Sequence, residues 1–154
     1  EWQDPMFVPY DWGYFAFVYD TEQLPEPPKS QEALIAAPDD LKILIQGPRT
    51  STPGLGLLLW MRHVYGDQAP EKWQQLKGKI LTTTKSWSDG YFSLFMNGEA
   101  PMILSYSTSP AYHMAVDKTD RYQAAEFKAL GSLIVLASHD EEDRRILADS
   151  VCSL

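Results

Sequence analysis

Three segments of this chain repeat one order of residue types: an apolar run, a Ser/Thr-rich loop, then a helix start. They read ILIQGPRTSTPG (residues 43–54), ILTTTKSWSDG (80–90) and ILSYSTSPAY (103–112). Two of them set a hydroxyl residue directly before proline, as Thr52-Pro53 and Ser109-Pro110. That is the order of a helix N-cap followed by a first helical residue with no N–H to lose. Apolar strands that feed helices at this spacing predict an α/β layer with a largely parallel sheet. In such a sheet the strand-to-helix turns gather on the carboxyl edge, where ligands bind. One repeated junction therefore constrains both the fold and the place of the site.

The remaining elements are read around these junctions. Strands are expected over 14–20, 41–46, 79–83, 100–105, 121–127 and 133–137. Segment 7–10 reads as an extended connection, and 21–29, with Pro25, Pro27 and Pro28, as a loop. Helices are expected over 31–37, capped by Ser30, and over 53–65 and 70–77, which stop at Gly66 and Gly78. Another starts at a cap on Ser86 or Ser88 and stops at Asn97–Gly98; one begins at Pro110, and a charged one covers 140–151. Helix 53–65 carries apolar residues almost all round, which predicts a buried helix and a structural role for His63.

Composition removes several classes of partner. The chain has 154 residues, 44% of them apolar, enough for one domain with a real core. Its net charge is −8, and its longest basic run is Arg144–Arg145, so nucleic acid and anionic membrane are poor partners. The longest apolar run, 55–61, is too short to span a bilayer. A single cysteine, Cys152, allows no internal disulfide. The chain opens on Glu1 with a polar stretch and no signal peptide, and it reads as a processed chain or a piece of a longer one.

The first junction puts Thr50, Ser51 and Thr52 at the positive end of a helix dipole, with Thr52 read as the N-cap. Gly54 and Gly56 leave the first turn bare, so that a ligand could approach the backbone. Together these could make an anion site, although a single junction of this kind is better explained by capping alone. Aromatic residues mark the other two: Trp87 before its helix, Tyr106 at a strand end and Tyr112 in a first helical turn. Rings at that edge suit a flat or cationic ligand, at about 0.5–2 kcal/mol of cation–π attraction each. Catalytic patterns are poor. His63, His113 and His139 lack zinc-ligand spacing, Ser51 lies in no GxSxG elbow, and neither a P-loop nor a GxGxxG occurs.

The strings FVPYDWGYFAFVYD, PRTSTPGLGLLLWMRHVYG, KSWSDGY and LSYSTSPAYH resemble the thiamine-binding proteins of bacterial thiamine ABC transporters, over about residues 7–127. These belong to the two-domain, type II periplasmic binding proteins. The resemblance implies a three-layer α/β lobe, with a mostly parallel sheet and helices on both faces. It implies that Ser51, between Thr50 and Thr52, contacts the phosphate of thiamine phosphates, and that Trp87, Tyr106 and Tyr112 line the thiamine pocket. It further implies a periplasmic solute-binding protein rather than an enzyme, with thiamine or its mono- or diphosphate as transported ligand and no cofactor or metal. A permease would be the partner of the full-length protein. Family members begin with another lobe and a signal peptide, and from Lys128 this sequence leaves their pattern. Residues 1–127 are thus expected to be a second lobe with one hinge crossing, and 128–154 a divergent tail, strand plus helix, packed on the same domain. The competing readings are a ferric-iron-binding relative using Tyr106 and Tyr112, a phosphate-ester hydrolase using Ser51, and a folded remnant without function.

Overall fold

A computed structural model describes residues 14–127. The strands are β1 (Phe15–Asp20), β2 (Ile43–Gln46), β3 (Ile80–Thr84), β4 (Met102–Tyr106) and β5 (Tyr122–Ala124). The helices are α1 (Gln31–Ala36), α2 (Thr52–Tyr65), α3 (Ala69–Lys77) and the short α4 (Ser109–Tyr112). Two π-helical stretches, Asp89–Phe95 and His113–Asp117, complete the elements used below. The segment 7–10, the strand 133–137 and the helix 140–151 fall outside the described residues.

The five strands lie in the order β3-β2-β4-β1-β5. β2 runs parallel to β3 and β4, whereas β1 is antiparallel to both β4 and β5. Four strands therefore point the same way and β1 alone is reversed. The reversal brings the start of β1 to the carboxyl ends of its neighbours, where Phe15 pairs with Tyr106.

The central strands are covered on both faces, which explains why β1, β2 and β4 read as unbroken apolar runs rather than alternating ones, whereas edge strand β3 is largely exposed. Phe17, Tyr19, Ile43, Ile45, Met102 and Leu104 point to one face, against Leu34 of α1, Leu57 and Met61 of α2 and Leu76 of α3. Val18, Leu44 and Ile103 point to the other, against Tyr91 and Phe95 of the first π-helix and Tyr122. Each fully buried Leu, Ile or Met contributes about 1.5–3 kcal/mol of transfer free energy. The result is a three-layer lobe with helices on both faces.

Several local expectations need correction. Helix α2 is buried on one side only: Pro53, Gly54, Gly56, Leu57 and Met61 are inside, while Arg62 and His63 are exposed. Apolar Leu58, Leu59 and Trp60 on its flanks are half-buried, so a broad apolar surface did not mean full enclosure, and His63 is exposed rather than buried in the core. Thr52 lies inside the helix. Ser51 is its N-cap and makes no side-chain capping bond. Gly54 and Gly56 are not bare surface. A Cβ on Gly54 would lie 2.3 Å from the Gln46 carbonyl oxygen, and one on Gly56 would lie 2.1 Å from the Phe15 ring. They let α2 press onto the sheet. Likewise Ser109 is helical, with Thr108 at the N-cap. The expected strand 121–127 shortens to β5.

Other local readings hold. Ser30 Oγ accepts the Ala33 N–H at 3.0 Å. Gly66 ends α2 with φ of 52°, in the left-handed region that glycine takes without strain. Of the two serines before the first π-helix, Ser86 is the one that caps, its Oγ accepting the Asp89 N–H at 3.1 Å.

Candidate functional site

The sheet order creates a switch point. The chain leaves β2 into α2 on one face, whereas the segment after β4 packs His113 against Tyr91 and Tyr122 on the other. Loops that diverge in this way open a crevice outside the strand ends. β2 and β4 are paired through Leu44 and Ile103, and beyond that point Gln46 spans the gap, its Nε2 donating to the Leu104 carbonyl at 3.1 Å. Gln46 is buried, and its Oε1 has no hydrogen-bond partner among the described residues.

The three junctions meet along this edge. In the first, Gly47 N–H donates to the Thr84 carbonyl at 2.9 Å, which ties the loop after β2 to the end of β3. Ser51 N–H turns back to the Gly47 carbonyl at 3.0 Å. Thr50 is exposed, with its Oγ1 directed to that same carbonyl at 3.4 Å, and Ser51 and Thr52 are half-buried. Among the described residues no hydrogen bond joins Ser51 to a histidine or carboxylate.

The second and third junctions share a ring cluster. Trp87 stacks on Tyr91 with centroids 4.9 Å apart and lies 6.3 Å from Tyr106. Tyr106 in turn lies 5.5 Å from Phe15, the ring that fills the space left by Gly56. A run of contacts thus joins the first turn of α2 to Trp87. Trp87 Nε1–H donates to Ser105 Oγ at 2.8 Å, and Ser105 Oγ is 2.8 Å from Ser109 Oγ. Tyr112 is exposed, its ring edge-on to His113 at 5.6 Å. Among the described residues the ring contacts lead from it to Trp87 through His113 and Tyr91, whose rings are nearly parallel and 5.7 Å apart.

The structure therefore brings Trp87 and Tyr106 together and sets the Thr50–Ser51–Thr52 loop on the same edge, with Tyr112 at the far end of the stack. Sequence reasoning missed the residues beneath them. His113 Nδ1 lies 2.7 Å from Asp117 Oδ2, a carboxylate oxygen that accepts from it, and His113 Nε2 lies 2.9 Å from the Tyr91 hydroxyl. Burial first, then the neighbouring Tyr122 phenol and the Asp117 carboxylate, push the Tyr91 hydroxyl well above its ordinary range, so it keeps its proton. The four-residue spacing of His113 and Asp117 was the available signal, since such pairs meet on one helical face.

Among the described residues no three His, Cys, Asp or Glu side chains converge on one point. No described helix is long and apolar enough to cross a membrane. A groove of about 890 Å³ lies at the opposite edge of the sheet, between Leu24, Pro25, Pro27, Pro28, Leu41 and Pro101, and contains none of the rings described above.

The fold is that of one lobe of a type II periplasmic binding protein. Among curated relatives, the chain is 59% identical over 125 residues to the thiamine-binding periplasmic protein of Brucella abortus, a match covering 81% of this chain and 37% of that protein. It also superposes on a solved periplasmic thiamin binding protein with a TM-score of 0.78 at 44% identity, covering 97% of this chain and 49% of the other. The periplasmic binding protein AfuA from Actinobacillus pleuropneumoniae matches at a TM-score of 0.69 and 16% identity, over 94% of this chain and 48% of that one, a likeness of fold alone. No family model matches the sequence. The chain thus spans between about a third and a half of the length of its thiamine-binding relatives.

Proposed function

We propose that this chain is a ligand-binding lobe for thiamine and its phosphates, serving uptake from the periplasm by an ABC transporter. The observation that carries the reading is the Trp87–Tyr106 ring pair on the same sheet edge as the Thr50–Ser51–Thr52 loop. Rings offer the cationic thiazolium a stacking surface, at about 0.5–2 kcal/mol per ring. Hydroxyls at the amino end of the fourteen-residue α2 suit a phosphate, through direct hydrogen bonds and the helix dipole. Ser51 is assigned the phosphate contact, with Thr50 and Thr52 beside it. Trp87, Tyr106 and Tyr112 form the wall for the thiamine rings. The thiamine is cargo, and the lobe needs no cofactor to hold it.

Periplasmic binding proteins close two lobes around a ligand. This chain contributes one wall, and the permease is the partner of the assembled transporter. The net charge of −8 favours the approach of a cation. A hydrolase reading lacks support, because Ser51 has no base bonded to it among the described residues.

Calorimetric titration of the chain with thiamine tests the reading. Wild type binds, and Trp87→Ala binds at least about tenfold more weakly, the equivalent of roughly 1.4 kcal/mol. Equal affinity in the two removes Trp87 from the site.

A further inference from the structure

The side chain of Trp87 is held by groups that do not themselves form the ring wall, among them the edge-on ring of Phe92 at 5.4 Å. Its Nε1–H donates to Ser105 Oγ at 2.8 Å. Its ring lies on Tyr91, tilted by only 27°. Ser105 is completely buried, in the penultimate position of β4, and its Oγ also contacts Ser109 Oγ at 2.8 Å. Ser109 is the first residue of α4, which carries Tyr112. Tyr106 is the residue next to Ser105 along the chain. A single buried hydroxyl thus sits at the crossing of the three elements that bear Trp87, Tyr106 and Tyr112.

We propose that Ser105 is a positioning residue for the ligand site, acting by fixing the indole of Trp87 through the Nε1–H···Oγ bond and by tying the start of α4 to that setting through Ser109. The proposal rests on the reading of Trp87 as a wall of the thiamine site. The physical case has two parts. The indole N–H of the half-buried Trp87 is met by a completely buried acceptor, and removing that acceptor leaves a donor unmet, which costs more than an ordinary hydrogen bond is worth. A serine hydroxyl has one proton and can accept while donating. Ser105 Oγ accepts from Trp87 and either donates to or accepts from Ser109, so both neighbours are satisfied by one atom. Stacking on Tyr91 and the edge-on ring of Phe92, 5.4 Å away, set the plane of the indole but give its rotation within that plane no directional tie. The hydrogen bond supplies that tie. Tyr91 is itself pinned by His113, and His113 by Asp117.

The test is a double-mutant cycle on the whole chain, with a readout that needs no ligand. Thiamine affinity is measured by calorimetry for wild type, Ser105→Ala, Trp87→Phe and the double variant, and the Trp87 indole N–H resonance is followed in nitrogen-labelled wild type and Ser105→Ala. Ser105→Ala is expected to bind thiamine about five- to tenfold more weakly and to shift and broaden the indole N–H signal. In the Trp87→Phe background, which has no indole N–H, Ser105→Ala is expected to add less than a twofold further loss. Restoring the hydroxyl with Ser105→Thr returns the indole signal toward wild type. An unchanged indole N–H in Ser105→Ala overturns the inference, as does a loss from Ser105→Ala that is undiminished in Trp87→Phe. If wild type binds no thiamine while Ser105→Ala shifts the indole signal, the functional reading fails and the positioning of Trp87 by Ser105 stands.

Discussion

Arg121 grips the completely buried carboxylate of Asp20 with both arms of its guanidinium, Nε to Oδ1 at 2.9 Å and a terminal nitrogen to Oδ2 at 2.6 Å. Asp20 ends β1 and Arg121 precedes β5, so the pair fastens the last described strand to the sheet. Burial raises the Asp20 carboxyl. The bonds from Arg121, Gln23 and the Glu22 backbone N–H outweigh it and hold the group below the usual carboxylate range. A carboxyl depressed on folding contributes stability that is present above its unfolded pKa of about 3.9 and lost as pH falls through the lower folded value. Urea midpoints are expected to fall below about pH 4, with this pair responsible for roughly 1 kcal/mol, because the Arg121 side chain is 36% exposed and screened. Asp20→Asn should be less stable at neutral pH and show a flatter acid limb. An acid limb identical to wild type contradicts the assignment.

The glycines of α2 give a contrast in stability. Gly54→Ala forces a methyl group within 2.3 Å of a backbone oxygen that cannot retreat without moving β2. Overpacking of this kind costs about 1–3 kcal/mol or more. Gly78 follows α3 with φ of −63°, and a Cβ there would meet only the Gln75 carbonyl, at 3.7 Å. Gly78→Ala should stabilise by about 0.4–1 kcal/mol through the unfolded chain. Thermal unfolding of the two variants should shift in opposite directions.

Ser51 is assigned to the phosphate and not to the thiamine rings. Ser51→Ala should therefore weaken thiamine monophosphate by about tenfold, in line with one charge-assisted hydrogen bond. Unphosphorylated thiamine should bind within about twofold of wild type, as it offers no anion to that hydroxyl. Calorimetry with both ligands separates the outcomes. Equal losses for the two would place Ser51 in general support of the loop.

Much of this architecture is legible in the sequence, for identifiable reasons. β2 and β4 could be read because burial on both faces forces continuous apolar runs such as ILI and MIL. Ser30 and Gly66 could be read because caps depend on local chemistry. The reversed direction of β1 could not, since a doubly buried strand looks the same in either direction. The Gly54 and Gly56 contacts were also hidden, as they depend on how α2 packs against Gln46 of β2 and Phe15 of β1. At the site, hydroxyls and rings at three junctions were visible in the chain. The Ser105, Tyr91 and His113 supports were not, because they hold the rings by tertiary contacts.

The most direct measurement is a nitrogen-edited NMR titration of the labelled chain with thiamine, which reports the edge of the sheet that the ligand touches. The largest shifts are expected at the amides of Thr50, Ser51, Thr52, Trp87, Tyr106 and Tyr112 and at the Trp87 indole N–H. Shifts confined to the opposite groove, around Leu24, Lys29, Ala37 and Leu41, or no shifts at saturating thiamine, would contradict the account.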